Sequence, residues 1–158
     1  MLRIQITKRA DGSGVLRCSR PDGSVTWQKQ KDRHARFFAL HDLTHFAVET
    51  ELGYRQGFFG LIAAGWDIDE TGGKGPRGAL PAETVEVERI VGAFDAERAA
   101  GTPWTAEEFN QHLALEGWAP KRPLTAEDLL GIRTVRSRLF AQWSAVSPGE
   151  SIELQFPT

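Results

Sequence analysis

Apolar and polar residues alternate strictly at both ends of this chain, and that period suits an extended strand with one face buried. Leu2, Ile4 and Ile6 alternate with Arg3, Gln5 and Thr7, while Ile152, Leu154 and Phe156 alternate with Glu153 and Gln155. Successive side chains on a strand point to opposite faces, so each segment has one apolar face that it cannot cover alone. Two more strands are expected near the N-terminus, Val15 to Ser19 and Val25 to Gln28. Turns at Asp11-Gly12-Ser13-Gly14 and Pro21-Asp22-Gly23-Ser24 set them apart. Pairing the C-terminal strand with this meander covers both apolar faces and brings the two ends together.

The middle of the chain carries helical signals. A first helix is expected from about Arg33 to Leu52, stopping at Gly53, and a short apolar helix from Gly57 to Ala64, ending before Gly65-Trp66. The stretch Thr71 to Gly78 holds four glycines and no apolar anchor, so it is expected to be a mobile loop. Pro81 opens a third helix to about Ala100, since a first-turn position has no helical partner for the N–H that proline lacks. Thr105 with Glu108, and Thr125 with Asp128, form capping boxes for two later helices. Trp104/Phe109 and Leu124/Leu129 stand as their hydrophobic staples, and the last helix should run to about Val146. The expected fold is α+β: one domain over residues 1–158, with a small antiparallel sheet packed against about five helices.

Composition narrows the function classes. With 158 residues, 41% hydrophobic and 25% charged, the chain can bury a core and does not read as disordered. A net charge of −2 gives no general attraction to nucleic acid or an anionic membrane, and no apolar run approaches the roughly 20 residues of a membrane span. Cys18 is the single cysteine and cannot form an intramolecular disulfide. The opening MLRIQITKRADGSG has no apolar block or cleavage site, so the cytoplasm is the expected location. The expected partner is a small or anionic ligand rather than nucleic acid or a membrane.

One constellation carries chemistry. In His41-Asp42-Leu43-Thr44-His45-Phe46-Ala47-Val48-Glu49, the two histidines stand about 40° apart on the helical wheel, with Glu49 about another 40° on. Positions i and i+4 lie one turn apart, so both imidazoles can converge on one divalent metal, zinc being the natural candidate. His41 and Glu49 are two turns apart, roughly 12 Å along the axis. The expected ligand set is therefore His41, His45 and a carboxylate from another segment. Asp42 and Glu49 are then candidates for holding an imidazole or handling a proton. His34 projects to the same side.

The pattern resembles the His-Glu-x-x-His helix of zincin metalloproteases, with Asp42 where those enzymes carry their general base. His-Asp-x-x-His is also similar to the zinc motif of a helical ubiquinone-biosynthesis family. That family has a glutamate twelve residues past the second histidine, where this chain has Gly57. Over HDLTHFAVETELGYRQGFFGLIAAGWDI the chain resembles small bacterial proteins with an HDLTH helix followed by a glycine- and aromatic-rich helix, a resemblance that implies no activity.

Weaker signals remain. Arg136 falls inside an apolar stripe of Leu129, Ile132, Leu139, Phe140 and Trp143, so it needs an acid or an anionic ligand; Glu49 and Asp42 are the first partners to test. Glu83 shares a face with Val87, Ile90 and Phe94 and is a candidate third carboxylate, though it equally suits the positive end of its helix. Asp67, Asp69 and Glu70 lack an EF-hand frame, and Gly72–Gly78 lacks phosphate-loop spacing. Lys121, Arg122, Arg133 and Arg138 read as a solvated basic face. Two functions follow: a metal-dependent hydrolase built on His41 and His45, or a non-catalytic binding or regulatory module whose histidines are structural.

Overall fold

The structure, a computed structural model, describes residues 1–30, 35–120 and 122–158. His34, Lys121 and the expected helix start at Arg33 lie outside the described residues. The strands are β1 (Leu2–Lys8), β2 (Gly14–Ser19), β3 (Val25–Lys29) and β4 (Ser151–Phe156). They form one antiparallel sheet in the order β3-β2-β1-β4. The C-terminal strand joins β1 as its alternation predicts, with Leu2 opposite Phe156, Ile4 opposite Leu154 and Ile6 opposite Ile152. That register puts apolar side chains together on one face. Both hairpins turn on Asp-Gly-Ser. Asp11 accepts from Ser13 N–H at 2.9 Å and Asp22 from Ser24 N–H at 2.8 Å, and Gly12 and Gly23 take the left-handed φ (86° and 88°) between them.

The helices are α1 (Ala35–Leu52), α2 (Phe58–Ala63), α3 (Ala82–Ala100), α4 (Ala106–Leu115) and α5 (Ala126–Ala145). Both capping boxes form: Thr105 Oγ1 accepts from Glu108 N–H at 3.2 Å and Thr125 Oγ1 from Asp128 N–H at 3.0 Å. The α+β architecture stands, with α1 at its centre. Ala39, Leu43 and Phe46 pack with Leu2, Ile4, Ile6 and Leu16 of the sheet, and with Leu139 and Trp143 of α5. Ala47 and Val48 pack with Val87, Ile90, Phe94, Phe109, Leu129 and Ile132 of the other helices. Because α1 is covered on several sides, every residue from Asp42 to Glu49 is buried. Asp42, Thr44, His45 and Glu49 must therefore find partners inside the protein.

The expected mobile loop is held at several points. A 3-10 turn, Ile68–Gly72, starts on an Asp67/Glu70 capping box. Arg77 Nε then lies 3.0 Å from Glu70 Oε2, Arg77 Nη2 reaches Gly65 O at 3.1 Å, and the guanidinium covers the Trp66 ring. The anchors are a cation and an indole, which a search for apolar residues inside the loop passes over. Among the described residues no helix is long and apolar enough to cross a membrane.

Candidate metal centre

One turn of α1 brings the His41 and His45 rings to 4.9 Å between centroids, edge to face. Each ring meets acids. His41 Nδ1 is 2.8 Å from Asp95 Oδ2. His45 Nδ1 is 3.1 Å from Glu49 Oε2, and its Nε2 is 3.2 Å from Glu88 Oε1. Glu88 and Asp95 both come from α3, seven residues apart and so on one helix face. The two helices run antiparallel, pairing His45 with Glu88 and His41 with Asp95. One step further along, Arg98 lies over the Phe37 ring at 5.9 Å. His41, His45 and Glu88 each offer a ligand atom, and the three atoms lie within 4.8 Å of one another.

Glu49 ties the buried half of this site to the start of α2. Its side chain is fully buried. Besides meeting His45, its carboxylate accepts from Phe59 N–H at 3.3 Å and Gly60 N–H at 3.0 Å. It thus satisfies donors in the first turn of α2 that have no helical partner. The approach needs a bare backbone at Gly57, where a Cβ would fall 2.3 Å from the Glu49 carboxyl carbon.

Charge follows from these contacts. Burial alone would push the His45 pKa down, but the hydrogen bonds and charges of Glu49 and Glu88 outweigh it and raise the pKa to about 10. Without a metal, the ring is an imidazolium between two carboxylates. Burial also opposes Glu88 ionisation, yet the His45 hydrogen bond and the positive charge nearby leave its pKa below the usual value. Asp42 is pushed up to about 6 by burial, with His41 and His45 restraining the rise.

The donor set fits a divalent metal. Two imidazoles and one carboxylate with an open position is a familiar zinc environment, and metal-bound histidines usually donate their other N–H to a carboxylate. Asp95 and Glu49 hold Nδ1 of the two rings, and an ion at His45 Nε2 would take the place of that nitrogen's contact with Glu88 Oε1 and of its proton. Glu88 is half exposed, with 46% of its side chain open, and His41 is 22% open.

Of the residues expected from sequence, His41, His45 and Glu49 come together. Asp42 faces elsewhere: its Oδ2 accepts from Gln30 Nε2 at 2.8 Å, and Gln30 Oε1 accepts from Gly14 N–H at 3.0 Å, tying α1 to the sheet. The step of 100° from His41 to Asp42 accounts for this. Glu83 is not the third carboxylate; its Oε2 accepts from Arg55 N–H at 3.1 Å and Gln56 N–H at 2.5 Å. Arg136 meets neither Glu49 nor Asp42. Its guanidinium is 3.9 Å from Glu97, donates to Phe94 O at 3.4 Å and lies over the Phe94 and Phe140 rings. Glu97 is buried chiefly against Arg133. Sequence reasoning missed Glu88 and Asp95: their seven-residue spacing puts them on one face of α3 but does not say which helix that face meets. Comparison with known protein families, with curated proteins and with solved structures gives no match for this chain.

Proposed function

We propose that the chain binds one divalent metal ion, of zinc type, through His41, His45 and Glu88, and that the site serves hydrolytic chemistry. The observation that carries this is the convergence of three ligand atoms from two helices within 4.8 Å, with a carboxylate behind each imidazole. When bound, such an ion polarises a substrate carbonyl or phosphoryl oxygen and lowers the pKa of a bound water. The chain's own contribution is positional. Glu49 and Asp95 fix the two rings, while Asp42, bound to Gln30, is not placed to take a proton there.

A competing proposal is a non-catalytic module with structural histidines. It draws on His45, whose two nitrogens both meet carboxylates and so form a self-sufficient ion triad. Elemental analysis of protein purified without chelators, followed by calorimetric zinc titration of wild type and Glu88→Gln, separates the two. One zinc per chain, bound much more weakly by the variant, supports the metal site. No uptake by wild type at any pH from 7 to 9 supports the structural triad.

A further inference from the structure

Gly92 stands out on α3. It lies in the interior of a nineteen-residue helix, where glycine is less favourable than alanine. It is exposed, and a Cβ built there meets no atom within 4 Å, so neither crowding nor backbone shape requires it. Its place on the helix is informative. Gly92 follows Glu88 by four residues and precedes Asp95 by three, so it shares their face, between the two carboxylates that reach His45 and His41. A side chain longer than methyl at this position would extend over the helix face that carries Glu88 and Asp95. Residues 42–49 of α1 are buried throughout, and the parts of the site that stay open are on His41 and Glu88.

Resting on the metal-site proposal, we infer that the gap at Gly92 is the entry through which a small oxygen or nitrogen donor, such as a substrate carboxylate, hydroxamate or water, reaches the ion's open position. Gly92 then determines how large a group can approach, and it touches no ligand atom itself. The gap also accounts for the glycine: one helix-weakening residue is retained where a side chain would obstruct the site.

The experiment uses the cobalt(II)-loaded protein, whose visible spectrum reports coordination, with azide and acetohydroxamate as probes. Wild type, Gly92→Ala and Gly92→Leu are compared. All three are expected to bind cobalt with equal affinity, and Gly92→Ala is expected to melt no lower than wild type. Acetohydroxamate should shift the wild-type spectrum and bind Gly92→Leu about tenfold or more weakly, with the smaller azide less affected. Equal acetohydroxamate binding by wild type and Gly92→Leu overturns the entry role. So does loss of cobalt affinity in Gly92→Leu, or a lower melting temperature in Gly92→Ala, either of which makes the glycine structural. If wild type takes up no cobalt, the metal site itself fails, a result distinct from a loaded protein whose access is unchanged.

Discussion

Replacing Gly57 with alanine adds one methyl group, and the geometry predicts a cost far beyond that of an ordinary glycine change. The φ at Gly57 is −79°, within reach of any residue, so the backbone conformation itself adds no penalty. The methyl carbon would instead fall 2.3 Å from Glu49 Cδ and 2.5 Å from Oε1, well inside contact distance. Either the carboxylate or α2 must move. Moving the carboxylate separates it from Phe59 N–H, Gly60 N–H and His45 Nδ1 in a fully buried setting. Breaking a buried charged cluster costs about 3–5 kcal/mol. For a chain of this length that is a fall in Tm of roughly 6–20 °C. Urea denaturation followed by tryptophan fluorescence measures the difference. A double-mutant cycle then tests the cause: in a Glu49→Ala background, Gly57→Ala should be nearly harmless, because the clashing group has gone. Additive costs, or a Gly57→Ala protein within about 0.5 kcal/mol of wild type, refute the reasoning. Gly53→Ala is the contrasting control. Its φ is +71° with nothing within 4 Å, so only left-handed strain applies, about 1–2 kcal/mol.

Four further outcomes are expected. Asp42 has a folded pKa of about 6 against an unfolded value near 3.9, so the folded chain holds the extra proton between those pH values. The Asp42 contribution to the unfolding free energy should therefore fall by roughly 2–3 kcal/mol as pH rises from about 4 to 6.5, against the rise from carboxylates held below their usual pKa such as Glu88, and Asp42→Asn should remove that contribution in urea titrations. Asp95→Asn should lower zinc affinity by about 10–100-fold in calorimetry, as loss of a carboxylate behind a ligating imidazole does, while Tm changes little. Arg136→Met should leave zinc affinity unchanged and lower stability, since its contacts are Glu97, Phe94 and Phe140; a weakened zinc titration would contradict this. Burial lifts the Cys18 thiol to about 12, so a thiol reagent at pH 8 should modify it only in denaturant.

The elements that sequence revealed are those fixed by local rules. Capping boxes at Thr105 and Thr125 satisfy neighbouring backbone groups, and the alternation in β1 and β4 needs only one apolar face. The histidine pair was legible for the same reason, because i,i+4 spacing is internal to one helix. Glu88 and Asp95 were hidden because their role depends on how α3 lies against α1, which no local pattern encodes. Glu83 shares the helix and the charge, but it sits at the wrong height and meets the backbone at Arg55 and Gln56 instead. The directions of Asp42 and Arg136 were misjudged for a related reason. A helical wheel separates faces but does not say which neighbour, sheet or helix, each face will meet.

The pairing of Leu2 with Phe156 has a practical consequence. The first and last strands are adjacent and antiparallel, so a linker of a few residues could join the ends without crossing the helical layer. New termini could then open at the exposed Gly101–Pro103 connection between α3 and α4. Such a circularly permuted chain keeps α1, α2 and the Glu88–Asp95 stretch of α3 in one continuous piece. The two imidazoles and two carboxylates contributed by His41, His45, Glu88 and Asp95 would then travel together, while β4 becomes an internal hairpin arm.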